Sequence, residues 1–348
     1  MTMLKLGYAL AVEGRELRIP IDQVRDAERL GFDSVWVPEA YGADAVTVAT
    51  WLLAHTTTLR VGTCVMQMPS RSPALAAMTA MSLDQLSGGR FVVGLGASGP
   101  QVVEGWHGVP YGKPVTRFRE YVAIMRRIMA REAPVTFEGE MYRLPLTGPG
   151  TTGLGKPLKS LLAPAPGIPI YSASITPAGL ATAAEVADGV FPIWMSPERF
   201  GVLAEGLDRG FARSGRSLAN FDVAPLVRVV MGDDLDACRA VVKAQLALYI
   251  GGMGARGKNF YNDYTCRLGF ASEASLIQDR FLAGDREGAA EVVPDQLVDE
   301  VSLVGPEPRI RERAAVWRAA GKRGDLTTLI VSTDQPEVLP LLADCLLE

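Results

Sequence analysis

"GRFVVGLGASGPQ", residues 89–101, decides between two folds. An apolar run followed by Gly94-x-Gly96-x-x-Gly99 has the spacing with which a strand, turn and helix hold a dinucleotide pyrophosphate. That site needs a helix entered directly from the last glycine and an acid about 20 residues further on, at the end of the next strand. Here Pro100 follows Gly99, and Gly105 and Gly108 break any continuation. The acid at the right distance, Glu120, falls inside the amphipathic "RFREYV". The run is also the fourth apolar segment of its kind rather than the first. It is read as the C-terminal end of a barrel strand and its loop, where small residues let a flat ligand approach the backbone.

Seven further strands fit the same reading. They are 4–10, 33–39 and 59–65 before the fourth at 90–96, then 168–174, 188–194, 222–230 and 326–332. Between the first four lie helical patterns at 20–31, 43–56, 72–88 and 116–131, the first opening on Pro20 and closing on Gly31. Near-continuous apolar strands are expected where helices cover one face and a packed interior the other. Eight βα units over the whole chain, with no linker between halves, predict a single α/β domain over 1–348, a (β/α)8 TIM barrel. Two segments exceed ordinary connections: 133–167 after the fourth unit, beginning with the hairpin-like "VTFEGEMYRLP", and 251–300 after the seventh strand. Both are expected near the barrel mouth.

Composition removes several function classes. A net charge of -4 and a pI near 5.5 give no basic patch for nucleic acid or an anionic membrane. No apolar run reaches the length of a membrane span. Four cysteines without paired spacing and only two histidines offer little for a disulfide framework or a zinc site, and a cytoplasmic chain is expected. At the strand ends there is no lysine for a Schiff base and no set of metal ligands. The acids there are Glu39 and, in the first loop, Glu13. What remains is an apolar, Gly-rich, uncharged mouth, suited to a planar cofactor that carries its own chemistry.

Four stretches then fall into place together: "GFDSVWVPEAYG" (31–42), "LRVGTCVMQMPSRSP" (59–73), "GGRFVVGLGASGPQVVEGWHG" (88–108) and "IPIYSASITPAGLATAAEVADGVFP" (168–192). In combination, and over essentially the whole chain, the sequence resembles the bacterial-luciferase-like superfamily, and within it the branch that uses the deazaflavin coenzyme F420. The resemblance implies a TIM barrel, a homodimer packed through the helices after strands two and three, and a cofactor across the C-terminal mouth. It implies a non-prolyl cis peptide at Cys64–Val65, in a bulge over Gly62, Thr63, Cys64 and Val65 that backs the ring. It also implies a phosphate grip in "SASITP" (172–177), with Ala173, Ser174, Ile175 and Thr176, where Ser174 or Thr176 caps the next helix. Glu39, Gly96, Ser98, Gly99 and Val103 complete the implied cofactor contacts, and Arg256 and Lys258 are placed to screen the coenzyme's acidic tail.

The catalytic residues carry over less completely. Sugar-phosphate dehydrogenases of this family have acids matching Glu13 and Glu39, but a histidine where this chain has Ala40 and a glutamate where it has Pro100. Sugar-phosphate oxidation therefore does not transfer. Glu39 and Glu13 are candidates for ring or substrate contact, or for hydrogen-bonded structural acids. His107, the one histidine near the mouth, is a candidate acid–base group or a structural residue. The implied reaction is hydride transfer between F420 and an organic small-molecule substrate, which the apolar mouth suggests is uncharged or conjugated. Two alternatives stay open: an FMN-dependent monooxygenase on the same barrel, and a cofactor-binding barrel without turnover.

Overall fold

The computed structural model describes residues 4–11 and 15–347. Eight parallel strands form the expected barrel: β1 (Lys5–Ala9), β2 (Ser34–Val37), β3 (Arg60–Thr63), β4 (Phe91–Gly96), β5 (Ile170–Ala173), β6 (Gly189–Phe191), β7 (Leu226–Met231) and β8 (Thr328–Ser332). Each pairs with its sequence neighbour from β1 to β6, and β8 pairs with both β7 and β1. The ring closes through a break in the seventh strand. Asp222–Val223 pairs with β6, Ala224 N–H donates to Val190 O (2.9 Å), and beyond Pro225 the chain crosses to β8. Proline has no N–H to give the ladder, so the exchange of partner falls at a residue that loses nothing by it.

The barrel interior is a packed plug. Trp36, Tyr171 and Phe191 meet there, with Trp36 edge-on to Phe191 at 4.9 Å and 5.7 Å from Tyr171. Glycines on neighbouring strands make the room. A Cβ on Gly62 would lie 2.1 Å from the Trp36 ring, and one on Gly7 2.7 Å from its Nε1. Large rings on some strands and absent side chains on their neighbours fill a narrow barrel at interior density.

The outer helices begin as their sequences dictate. In α1 (Ile21–Arg29) the chain enters at Pro20 and turns out at Gly31 with φ +86°. Asp44 caps α2 (Ala45–His55), accepting the Thr47 N–H at 2.7 Å. Ser72 and Pro73 open α3 (Pro73–Ser87), which ends on left-handed Gly88. The fourth is α4 (Pro114–Ala130) and the fifth α5 (Pro177–Val186). Strand boundaries are shorter than the apolar runs. Outside the ring and the hairpin described below, Met66–Gln67 rejoins β4 and Ser302–Gly305 pairs with β7.

The two long segments differ in placement. Residues 133–167 contain a hairpin, Phe137–Glu138 with Arg143–Leu144, and bond to α4 and its end. Ala165 N–H donates to Met129 O and Arg131 Nε to Ser160 O. Glu120, the mid-helix acid of the fingerprint test, accepts the N–H groups of Glu140, Met141 and Tyr142 at 2.7–3.0 Å and so docks the hairpin turn. At its tip Glu140 pairs with Lys113, which precedes α4. The segment after β7 bonds to residues just beyond two strand ends. Tyr264 Oη donates to Trp194 O beyond β6 (3.2 Å), and Arg267 to Ile175 O beyond β5 (2.5 Å).

Candidate functional site

Four structural features at the C-terminal strand ends build the site, starting with the interruption of β3. After Thr63 the Cys64–Val65 peptide is cis, and the chain rejoins β4 at Met66 and Gln67. Across the gap Thr63 stands in for the ladder: its Oγ1 donates to Gly94 O (2.8 Å) and accepts the Gly94 N–H (2.9 Å). Both backbone groups of Gly94 are thereby paired, as a buried strand requires. A Cβ on Gly94 would lie 1.7 Å from Thr63 O, and one on Gly96 2.3 Å from Val65 Cγ2. The first two glycines of the fingerprint therefore exist for the bulge, not for a pyrophosphate. Gly99 precedes a single short helix, Pro100–Gly105, and Ser98 before it is left-handed at φ +60°. Burial pushes the Cys64 thiol up to about 12, so it is a neutral packing group and not a nucleophile.

The second feature surrounds Glu39. Its Oε1 accepts from Ala45 N–H (3.1 Å) and Arg71 Nη2 (2.8 Å), and its Oε2 from Gln67 N–H (2.7 Å) and Arg71 Nη1 (2.9 Å). The side chains are 7% and 12% exposed, and Arg71 also pairs with Asp44, the cap of α2. A carboxylate engaged by four donors is an anchor, tying the end of β2 to the start of α2 and to the far side of the bulge. Gln67 extends the network: Nε2 donates to Ala40 O (2.6 Å) and Oε1 faces His107 Nε2 at 3.3 Å. With Nε2 of Gln67 committed, His107 is the donor of that contact, and its Nδ1 is left as an acceptor when the ring is neutral. Glu13 lies outside the described residues.

The third feature follows β5. Thr176, not Ser174, caps α5, accepting the Gly179 N–H at 3.1 Å, with Pro177 in the first turn. Ser174 Oγ pairs instead with Ser172 Oγ (2.9 Å). A Cβ on Gly179 would lie 2.9 Å from Thr176 Oγ1 and 3.0 Å from Ser174 Oγ, so the glycine keeps a small polar cradle open. Ala173 is exposed beside it, and the Ile175 side chain is buried while its carbonyl accepts from Arg267. Arg267 stacks over Tyr264 at 5.2 Å and makes no ion pair with a carboxylate among the described residues. Hydroxyls, helix-end N–H groups and a cation form a donor set fitted to a phosphate.

Several expectations shift. Arg256, expected to screen a tail, is paired with Asp279, and the unpaired cation near the cradle is Arg267. Val103 is fully buried, so its side chain faces the fold. The mouth is not free of charge, since Arg228 on β7 pairs with Asp334 beyond β8. The fourth feature is aromatic: Trp194, Tyr249 and Tyr261 cluster on one side of the mouth, and Tyr41 and Trp106 pair at 6.4 Å. Arg71, Gln67, Arg267 and these tyrosines were not singled out from the sequence. Arg71 had one available signal, its place within "MQMPSRSP" just before a Ser-Pro helix start. Among the described residues no three His, Cys, Asp or Glu side chains gather as a metal site, and no helix is long and apolar enough to cross a membrane.

Comparison with known proteins sets this geometry in context. The sequence model of the luciferase-like monooxygenase family matches residues 5–324. A Mycobacterium tuberculosis protein designated a coenzyme F420-dependent oxidoreductase is 44% identical over 344 residues, covering 98% of each chain. The 5,10-methylenetetrahydromethanopterin reductase of Archaeoglobus fulgidus is 30% identical over 300 residues, 86% of this chain and 85% of the reductase. The solved structure of the F420-dependent tetrahydromethanopterin reductase from Methanopyrus kandleri superposes with a TM-score of 0.78 at 22% identity, covering 99% of this chain and 98% of that one. It shares the fold.

Proposed function

From the premise that the chain belongs to the luciferase-like monooxygenase family, in its F420-dependent oxidoreductase branch, we propose that it transfers a hydride between coenzyme F420 and an uncharged small organic molecule. The observation that carries this reading is the pairing, at one mouth, of a flat backing and a phosphate cradle. Gly62, Thr63, Cys64 and Val65, packed against Gly96, would back the deazaflavin ring. Ser172, Ser174, Thr176 and the first turn of α5 would hold the phosphate, with Arg267 beside them. When bound, F420 supplies two-electron hydride chemistry.

The chain's own residues do the rest. Glu39 and Arg71 fix the bulge on which the ring would lie. His107, oriented by Gln67, presents a nitrogen acceptor at the mouth and is the group assigned to proton handling. The bulge and the aromatic side of the mouth exclude water, which strengthens every polar contact inside. Trp51 on α2 and Leu75, Met78 and Leu86 on α3 are exposed apolar side chains, which supports a homodimer through those helices. Four free cysteines support a reducing, cytoplasmic setting.

The test is a titration of the protein with F420 and, separately, with FMN, followed by fluorescence. Micromolar F420 binding with FMN much weaker is expected. The reverse preference overturns the hydride-carrier reading in favour of an oxygen-using flavin enzyme.

A further inference from the structure

The segment after β7 presents two tyrosines to the mouth in an unusual way. A π-helical turn, Leu248–Gly252, is pinned to the helix Phe260–Arg267 by Asn259. The Asn259 Nδ2 donates to Tyr249 O (3.0 Å) and Ile250 O (2.9 Å), and its Oδ1 accepts from Tyr261 N–H (3.0 Å) and Asn262 N–H (3.2 Å). Isolated π turns concentrate at functional sites. Gly251 and Gly252 press this one onto Phe281, whose side-chain atoms lie 2.4 Å from where either Cβ would be. Tyr249 itself meets the barrel: its ring lies 5.4 Å from Trp194 and 5.0 Å from Tyr261, and Tyr261 is 5.4 Å from Trp194.

The third ring is held against its preference. Trp194 has φ +53°, a left-handed conformation that a bulky residue keeps only where its surroundings impose it, and such residues gather at ligand sites. Tyr249 and Tyr261 are half-buried, and among the described residues their hydroxyls have no hydrogen-bond partner. Neither hydroxyl is sealed from solvent, so both are open to a ligand that enters the mouth. Burial first raises the pKa of both, followed by Tyr41 for Tyr249, and by Tyr249 and then Tyr111 for Tyr261, so both stay protonated donors. The charges at the neighbouring strand ends are paired, Glu39 with Arg71 and Arg228 with Asp334.

We propose that Trp194, Tyr249 and Tyr261 form the substrate-binding wall of the mouth, and that its ligand is an uncharged aromatic or alicyclic molecule with one oxygen function. The rings of the ligand stack on the wall, and its oxygen accepts from a tyrosine hydroxyl. This assignment deepens the oxidoreductase reading and rests on it for the identity of the mouth, but it uses no residue assigned to the cofactor.

The test measures binding to the full chain without cofactor, by titration calorimetry, using acetophenone, its anionic analogue 4-acetylbenzoate, and ethylbenzene. Acetophenone is expected to bind, with 4-acetylbenzoate at least about tenfold weaker because the wall itself, Trp194, Tyr249 and Tyr261, offers a carboxylate no cation. In the Tyr249→Phe/Tyr261→Phe double variant, which keeps both rings, acetophenone binding falls about 5- to 10-fold, the worth of one hydrogen bond, while ethylbenzene is unaffected. Unchanged acetophenone binding in that variant, tighter binding of 4-acetylbenzoate, or no acetophenone binding up to its solubility overturns the proposal. An F420 titration of the same variant separates the two readings. Loss of F420 affinity would move the tyrosines to the cofactor and overturn the wall. A wild-type chain that binds the ketone as described but not F420 would overturn the cofactor reading alone.

Discussion

Replacing Glu39 with alanine separates the anchor from the catalyst. The substitution removes the acceptor of four hydrogen bonds, leaving Ala45 N–H, Gln67 N–H and two Arg71 nitrogens without it. Asp44 still holds one edge of the Arg71 guanidinium, so the cation is not stranded completely. Breaking a buried ion pair from one side costs about 3–5 kcal/mol, and the remaining Asp44 contact places the expected loss at the lower end, about 3 kcal/mol. Arg71→Ala should cost a similar amount, and the double variant should cost about 2 kcal/mol less than the sum, because both substitutions remove one shared interaction. Urea unfolding followed by circular dichroism reads all three. F420 affinity should fall together with stability, since the bulge is held through Gln67. If Glu39→Ala leaves the unfolding midpoint unchanged while abolishing turnover, Glu39 is a chemical group and the anchor argument is wrong.

Gly94→Ala should destabilise the fold by about 3 kcal/mol or more, because the new Cβ meets the Thr63 carbonyl, a backbone atom that cannot move aside; a normal unfolding curve would refute it. Thr176→Ala should weaken F420 binding several-fold with little change in stability beyond the loss of one cap, about 1 kcal/mol, and unchanged F420 affinity would remove the cradle from the cofactor site. Glu28 predicts an acid limb in stability. Burial alone would raise its pKa, but the N–H groups of Thr58, Leu59 and Thr57 hold it down at about 2. A depressed carboxyl contributes stability that is present above its unfolded pKa, about 4.3, and is lost as pH falls toward 2. Glu28→Gln should flatten the stability profile across that window, and an unchanged profile would show that the Thr57–Leu59 turn does not depend on the charge.

The barrel was legible because its signal is repetition. Eight apolar runs separated by helical patterns carry one meaning, and the helix ends at Pro20, Gly31, Ser72 and Gly88 mark it again. The same repetition hides exceptions. Asp222–Val223 and Leu226–Met231 read as one strand because both pieces are apolar, although Pro225 divides them between two partners. Ser302–Gly305 is four residues long and follows a helix without a turn signal, so pattern alone does not separate it. The docking of the 133–167 hairpin was not legible either, because Glu120 accepts three N–H groups 20 to 22 positions away and no local pattern links them.

The site was legible to the extent that its function lies in the backbone. Gly94 and Gly96 announce a close approach, and Thr176-Pro177 announces a helix start, because such positions restrict which residues fit. What they approach is not in the local sequence: Gly94 yields to a carbonyl 31 positions upstream, and Gly96 to Val65. The side-chain partners were invisible for the same reason. Arg71 meets Glu39 across 32 positions, and Arg267 meets Ile175 across 92, with no periodicity linking them. Tyr249 and Tyr261 lie in an insertion whose helical pattern is interrupted by a π turn, so neither spacing nor amphipathicity shows which face they present. A barrel of this kind thus writes its scaffold locally and its specificity non-locally. On the proposal made above, the residues that distinguish one substrate from another sit where the chain is least repetitive, on the insertion after β7 that bonds to Trp194 O and Ile175 O.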